Sequence, residues 1–201
     1  RYGDPPNDRD SERRMRVGLV SADFRRHPVG RFLVEPVAAS SAEGIEYFAY
    51  SGRDNDDELN LRFRKLIPNW RHAGKMRDDE LAEQIRHDRI DILVDLSGYT
   101  SGERLALFAR KPAPVAVTYL GYFASTGLDA IDYVLANRWL IPEEERRQWV
   151  EVPWHLPHSH LCFVEPQAPT PVVAAPRHAR GQFTFGSFNN TAKLNDAVLE
   201  V

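Results

Sequence analysis

Four short apolar runs decide most of what this chain can become: MRVGLVSAD from Met15, IEYFAYSG from Ile45, IDILVDLSG from Ile90 and VAVTYLGY from Val115. Each is too short for a stable helix and too continuously apolar for a half-exposed strand, which is the pattern of strands buried on both faces. Between them lie stretches of helical period. VGRFLVEPVAAS carries Pro36, which predicts a kink or a short helix. DNDDELNLRFRKLI opens on Asp and Asn caps, and RDDELAEQIRHDR sets Leu81 and Ile85 on one face. WRHAG reads as a brief third strand, and a helix is expected through ERLALFARK. DYVLANRW is a further strand, PEEERRQW a short helical turn, and VEVPWHLPHSHLCFVE an extended, proline-interrupted tail. Strand and helix alternating with short connections predict an α/β fold, Rossmann-like, with a mostly parallel sheet and flanking helices. The order of the strands is not legible at this level.

The ends differ in character. Residues 1–14 are charged and nearly devoid of apolar side chains, so they read as a linker or disordered tail. The Rossmann-like lobe is expected over 15–165 and a proline-rich linker over 166–181. From 182, QFTFGSFNN reads as a new strand and TAKLNDAVLEV as the start of a helix, the truncated beginning of a second lobe. Such a stub has no sheet of its own to join, and its unpaired edge leads us to expect a dimer through the C-terminal stub.

Charge excludes some functions. Twenty-six Lys and Arg stand against twenty-nine Asp and Glu, a net of −3, so there is no general attraction to nucleic acid or an anionic membrane. No apolar run reaches the length of a membrane span. A single cysteine, Cys162, rules out an internal disulfide framework and fits a cytoplasmic location. His155, His158 and His160 crowd together on the broken tail without the helical spacing of a metal motif, and no metal is expected.

In doubly wound sheets ligands gather beyond the carboxyl ends of the strands. Three loops fall there: SADFRRHPVG, DLSGYTSGER and YLGYFASTG, the last suited to a sugar or a flat ring, with GSFNNTAK at the matching end of the next strand. Neither a G-x-G-x-x-G nor a Walker A pattern is present. Asp23 and His27 lie four apart around the first strand end. There a carboxylate can orient an imidazole for proton transfer, or Asp23 can simply cap the next helix while His27 packs beside Pro28. Lys193 can meet a phosphate or face solvent.

In this order and spacing, RVGLVSADFRRHPVGRFL, IDILVDLSGYTSGERLALFARKPAPVAVTYLGYFASTGLDAIDYVLANRWLIP and FTFGSFNNTAKLN resemble the catalytic region of the O-linked N-acetylglucosamine transferases, glycosyltransferase family 41. FGSFNN-x-AK is most similar to the SPINDLY-type branch. The resemblance implies the N-terminal lobe of a GT-B fold, usually preceded by tetratricopeptide repeats, and the beginning of the C-terminal nucleotide-sugar lobe. It implies an enzyme that moves N-acetylglucosamine from UDP-GlcNAc to Ser or Thr hydroxyls of a polypeptide acceptor, without a metal or other cofactor. Asp23 and His27 match the family's aspartate and histidine after the first strand, discussed as catalytic or site-organising groups. Leu120 and Gly121 match the positions beside donor sugar and acceptor, Asn190 a polar position near the nucleotide, and Lys193 the lysine that meets the diphosphate. Val29 stands where animal members have threonine and Phe123 where proline is usual. Val29 agrees better with the SPINDLY branch, so O-fucosyl transfer from GDP-fucose, another hexosyl transfer and a non-catalytic binding or scaffold module remain the alternatives. The 201 residues by themselves are expected to fold without catalysing transfer.

Overall fold

The computed structural model describes residues 7, 10, 12–41, 44–164, 170–184, 186–188 and 191–199. The chain divides into two compact units, Arg1–Val164 and Glu165–Val201.

The first unit holds seven strands: β1 Met15–Ser21, β2 Ile45–Ser51, β3 Asn69–His72, β4 Ile92–Asp95, β5 Val115–Thr118, β6 Tyr133–Ala136 and β7 Val152–His155. Its helices are α1 Pro28–Ser40, α2 Glu58–Leu66, α3 Asp78–His87 and α4 Leu105–Phe108. The strands form one sheet in the order β3-β2-β1-β4-β5-β6-β7, and every pair is parallel. The chain therefore winds outward from β1 to β3 and then, from β4, outward in the other direction. β1 and β4 meet at the reversal, so the loops leaving them diverge and open a crevice.

Both faces of the central strands are covered, as their continuous apolar runs require. On one face Val17, Leu19, Ala49 and Val94 pack against Leu33, Val34 and Val37 of α1 and Phe63 of α2. Phe24 lies edge-on to Phe63 and to Trp70, with centroids 5.3 Å apart in each pair. On the other face Phe48, Tyr50, Leu93 and Ala116 pack against Leu81 and Ile85 of α3 and Phe108 of α4. Tyr50 is fully buried and its hydroxyl donates to Asp88, which Arg71 grips as well. Burial and then the Asp88 charge push the Tyr50 hydroxyl well above the usual phenol range.

Several elements depart from expectation. Helix α1 continues through Pro36, which sits half-buried on its flank, for thirteen residues. The helix expected through ERLALFARK is cut to four residues. Arg104 turns its guanidinium onto the Ala73 and Met76 carbonyls and Asp78, and Lys111 has a left-handed φ of 55° just before Pro112. The proline-interrupted tail contributes a true strand, β7, with Pro153 in it. An edge strand tolerates proline because only one of its sides needs donors. Near the N-terminus, Arg13 forks onto Asp91 at 2.6 and 2.7 Å and Asn7 donates to the same carboxylate, so part of the expected free tail is tied to the lobe.

The second unit contains a short helix α5, Pro176–Arg180, a 3-10 turn at Thr191–Lys193 and a helix α6, Asp196–Leu199. Helix α5 lies inside the expected linker, opened by Pro176 at its first turn. Among the described residues of 182–188 there is no strand where QFTFGSF predicts one. A strand forms only where a neighbour supplies ladder partners, and the described residues of this segment pair with none. Among the described residues no helix is long and apolar enough to cross a membrane.

Candidate active site

The crevice at the β1–β4 reversal is built from three loops. After β1 the chain turns through Asp23–His27, with Arg25 N donating to the Asp23 carbonyl at 2.7 Å and His27 N to the Arg25 carbonyl at 2.6 Å. Helix α2 pins this turn from outside: its cap, Asp57, accepts the Arg26 amide at 2.9 Å, and Asn60 donates to the Phe24 carbonyl at 2.6 Å. Asp23 is buried while Arg25 and His27 reach solvent. One Asp23 oxygen pairs with Arg25, and the other stands 3.6 Å from Nδ1 of His27.

Sequence left two roles open for this pair, and the structure reassigns the cap. It is His27, not Asp23, that caps α1: its Nδ1 accepts the Val29 amide at 3.3 Å. The same nitrogen is the one facing Asp23. Accepting from Val29 needs the proton on Nε2, whereas donating to Asp23 needs it on Nδ1 and leaves Nε2 basic. The imidazole is thus poised between a cap and a carboxylate-oriented base.

The second loop follows β4. Asp95, nine-tenths or more buried, accepts the Ser97 amide at 3.1 Å, the Gly98 amide at 2.9 Å and the Thr118 hydroxyl at 3.0 Å. Burial pushes its carboxyl above the usual range, against the pull of those three donors. The third loop follows β5 and carries Leu120 and Gly121. Leu120 has a left-handed φ of 74°, rare for a side-chain-bearing residue and a mark of a locally fixed backbone. Gly121 abuts the second loop so closely that a Cβ there would lie 1.9 Å from the Leu96 carbonyl oxygen. Tyr99 of the second loop donates to the Thr126 carbonyl at 2.6 Å and lies edge-on to Tyr122, 5.5 Å between centroids. Tyr119 donates to the His160 carbonyl, and burial raises its hydroxyl to about 12, followed by the nearby Cys162.

Asp23 and His27 come together, and Leu120 and Gly121 sit on the same carboxyl edge of the sheet, one strand beyond β4. Lys193 is carried by the second unit, exposed at the end of the 3-10 turn. Asn190 lies outside the described residues. The sequence reading missed Asp95, Thr118, Thr126 and Glu151. The D-L-S-G turn was a legible signal for Asp95; Glu151 had none, because its partners are twenty-five residues away. Among the described residues no group of three or more His, Cys, Asp or Glu is arranged to hold a metal.

A doubly wound all-parallel α/β lobe with an acid–imidazole pair at its topological switch point defines the class: a Rossmann-like lobe. The chain belongs to glycosyl transferase family 41, whose model matches residues 1–166. It is 35% identical over its whole length to a probable UDP-N-acetylglucosamine–peptide N-acetylglucosaminyltransferase SPINDLY of Petunia hybrida, covering 22% of that protein. The probable UDP-N-acetylglucosamine–peptide N-acetylglucosaminyltransferase SEC of Arabidopsis thaliana is 30% identical over 93% of the chain, which covers 20% of it. Among solved structures, a mutant O-GlcNAc transferase of Thermobaculum terrenum superposes with a TM-score of 0.79 at 39% identity, over 85% of this chain and 33% of that one. The chain thus spans about a fifth of the length of these curated relatives.

Proposed function

We propose that this chain is the acceptor-side lobe of a protein O-glycosyltransferase, in which a Ser or Thr hydroxyl of a polypeptide attacks the anomeric carbon of a nucleotide sugar. The observation that carries this reading is the Asp23–His27 pair at the β1–β4 switch point, 3.6 Å apart and on the edge that also bears Leu120 and Gly121. The attacking hydroxyl loses its proton as the new C–O bond forms, and the nucleoside diphosphate leaves with the electrons of the old one. His27, with Nδ1 turned to Asp23, has a basic Nε2 for that proton; Asp23 stabilises the imidazolium that results. Leu120 and Gly121 offer a fixed backbone against which sugar and acceptor rest. Lys193 neutralises charge growing on the diphosphate, and Asn190 contacts the nucleotide, so that the departure needs no metal.

UDP-GlcNAc is the donor in this proposal, in line with the names of the relatives. Val29, buried at the first turn of α1, agrees better with the SPINDLY-type branch and keeps GDP-fucose as the alternative donor. The test is a parallel assay of the full-length polypeptide with UDP-GlcNAc, UDP-glucose and GDP-fucose on a protein acceptor, with and without EDTA. We expect transfer from UDP-GlcNAc that survives EDTA. Transfer from GDP-fucose alone would move the assignment to the second donor, and absence of transfer from all three would leave a scaffold module.

A further inference from the structure

The connection from β5 to β6 is unusual for a parallel sheet, because residues 119–132 contain no helix to brace them. What braces them instead is a pair of buried carboxylates. At the start of the connection Thr118 donates its hydroxyl to Asp95, whose other acceptor positions hold the Ser97 and Gly98 amides. At its far side Glu151, fully buried just before β7, accepts the Thr126 amide at 2.7 Å, the Ser125 hydroxyl at 2.8 Å and the Thr126 hydroxyl. Ser125 in turn accepts the amides of Gly127 and Val150.

Taking a carboxylate out of water is strongly unfavourable unless its acceptor positions are filled. At Glu151 they are filled by the Ser125 hydroxyl and the Thr126 amide and hydroxyl, all from the segment that needs holding; at Asp95 the loop after β4 supplies two amides and Thr118, the residue before the segment, supplies the third donor. We propose that Asp95 and Glu151 are positioning residues that flank the Leu120–Gly121 stretch, Asp95 through Thr118 before it and Glu151 through Ser125 and Thr126 after it, and so fix where the acceptor meets the sugar. This rests on the glycosyltransferase reading for its consequence, though not for its geometry. A loop loosened by about 1 Å misaligns the reacting groups, which is worth around a hundredfold in rate while leaving most binding contacts intact. Asp95 and Glu151 touch neither reacting group; they act through Thr118, Ser125 and Thr126.

The experiment compares Glu151→Gln, Thr126→Val and Thr118→Val with the conservative Thr126→Ser and Thr118→Ser in the full-length polypeptide. Two readouts are taken: steady-state transfer, and hydrogen exchange of the amides of 119–127 against those of β1 and β2. The clamp predicts that kcat falls about ten- to hundredfold in Glu151→Gln and both Val variants, with donor KM within about twofold. It also predicts recovery to within about threefold in both Ser variants, and faster exchange confined to 119–127. Unchanged kcat in Glu151→Gln and Thr126→Val, or exchange accelerated equally through β1 and β2, overturns it. If the unaltered polypeptide transfers no sugar, the functional reading fails instead. The exchange result then decides the clamp alone, upheld by acceleration confined to 119–127 and overturned by its absence.

Discussion

Asp23 Oδ2 faces the Nδ1 atom of His27 at 3.6 Å, while the Val29 amide holds that same nitrogen at 3.3 Å. One ring atom faces two partners that demand opposite tautomers: the Val29 amide hydrogen-bonds to it, and the Asp23 carboxylate would draw a proton onto it if the 3.6 Å gap closed. Removing it should release His27 to act as a helix cap alone.

In Asp23→Ala we therefore expect the imidazole 15N shifts of His27 to move toward the Nε2–H tautomer. Transfer by the full-length polypeptide should fall by about 10²- to 10⁴-fold, the range of a lost acid–base group. An unchanged tautomer together with transfer near the unaltered rate would remove the pair from proton handling.

Lys193→Ala in the full-length polypeptide tests the proposed contact with the leaving group. A point charge on the diphosphate is worth most as negative charge develops, so kcat should drop by orders of magnitude while the thermal unfolding of the protein stays put. Lys193 is exposed, which is why its loss should cost little stability. Turnover within a few-fold of normal would exclude it from the mechanism.

Asp91 makes the lobe sensitive to acid. Burial works against its charged form, but the Arg13 fork, the Arg16 amide and Asn7 outweigh it and hold the carboxyl below the usual range. A folded pKa lowered from the unfolded value of about 3.9 gives stability that is full above that value and lost as pH falls through the folded one. Arg13→Ala should cost about 1 kcal/mol near neutrality, and the gap to the unaltered protein should narrow as pH falls below the unfolded value and through the lowered folded one. Urea titrations at a series of pH values measure this; a gap constant down to acid pH would place the loss elsewhere.

Two glycines of the third loop should respond differently. Gly121→Ala drives a Cβ to 1.9 Å from the Leu96 carbonyl oxygen, a backbone atom that cannot swing aside, so the loop must shift and we expect a cost of about 3 kcal/mol. Gly127 has open space but a left-handed φ of 69°, so Gly127→Ala should cost only about 1–2 kcal/mol. Denaturant midpoints of the two variants compare them directly, and a Gly121→Ala change no larger than the Gly127→Ala change would mean the loops are not in contact.

The elements were legible where period and burial agree. IDILVDLSG and MRVGLVSAD are strands at the centre of the sheet, and their lack of polar alternation announced that both faces are covered. VEVPWH was read as part of an extended tail because Pro153 and Pro157 interrupt it; only pairing with β6 makes it a strand. QFTFGSF has the better strand composition yet forms none among its described residues, since composition cannot supply a partner.

The sequence by itself determined which residues are apolar at which spacing, hence the α/β class, the near-complete succession of strands and helices, and the loop that brings Asp23 within reach of His27. Four residues of separation make the contact possible, and the turn that makes it is held by Asp57 and Asn60 of the α2 region. Tertiary structure decided the remainder: that β1 lies beside β4, that His27 rather than Asp23 caps α1, and that Asp95 and Glu151 hold the loop bearing Leu120 and Gly121. Hydrophobic periodicity encodes that a side chain is buried, not against what. A carboxylate that meets its hydroxyl across twenty-three or twenty-five residues leaves no local pattern, because only the folded sheet closes that distance.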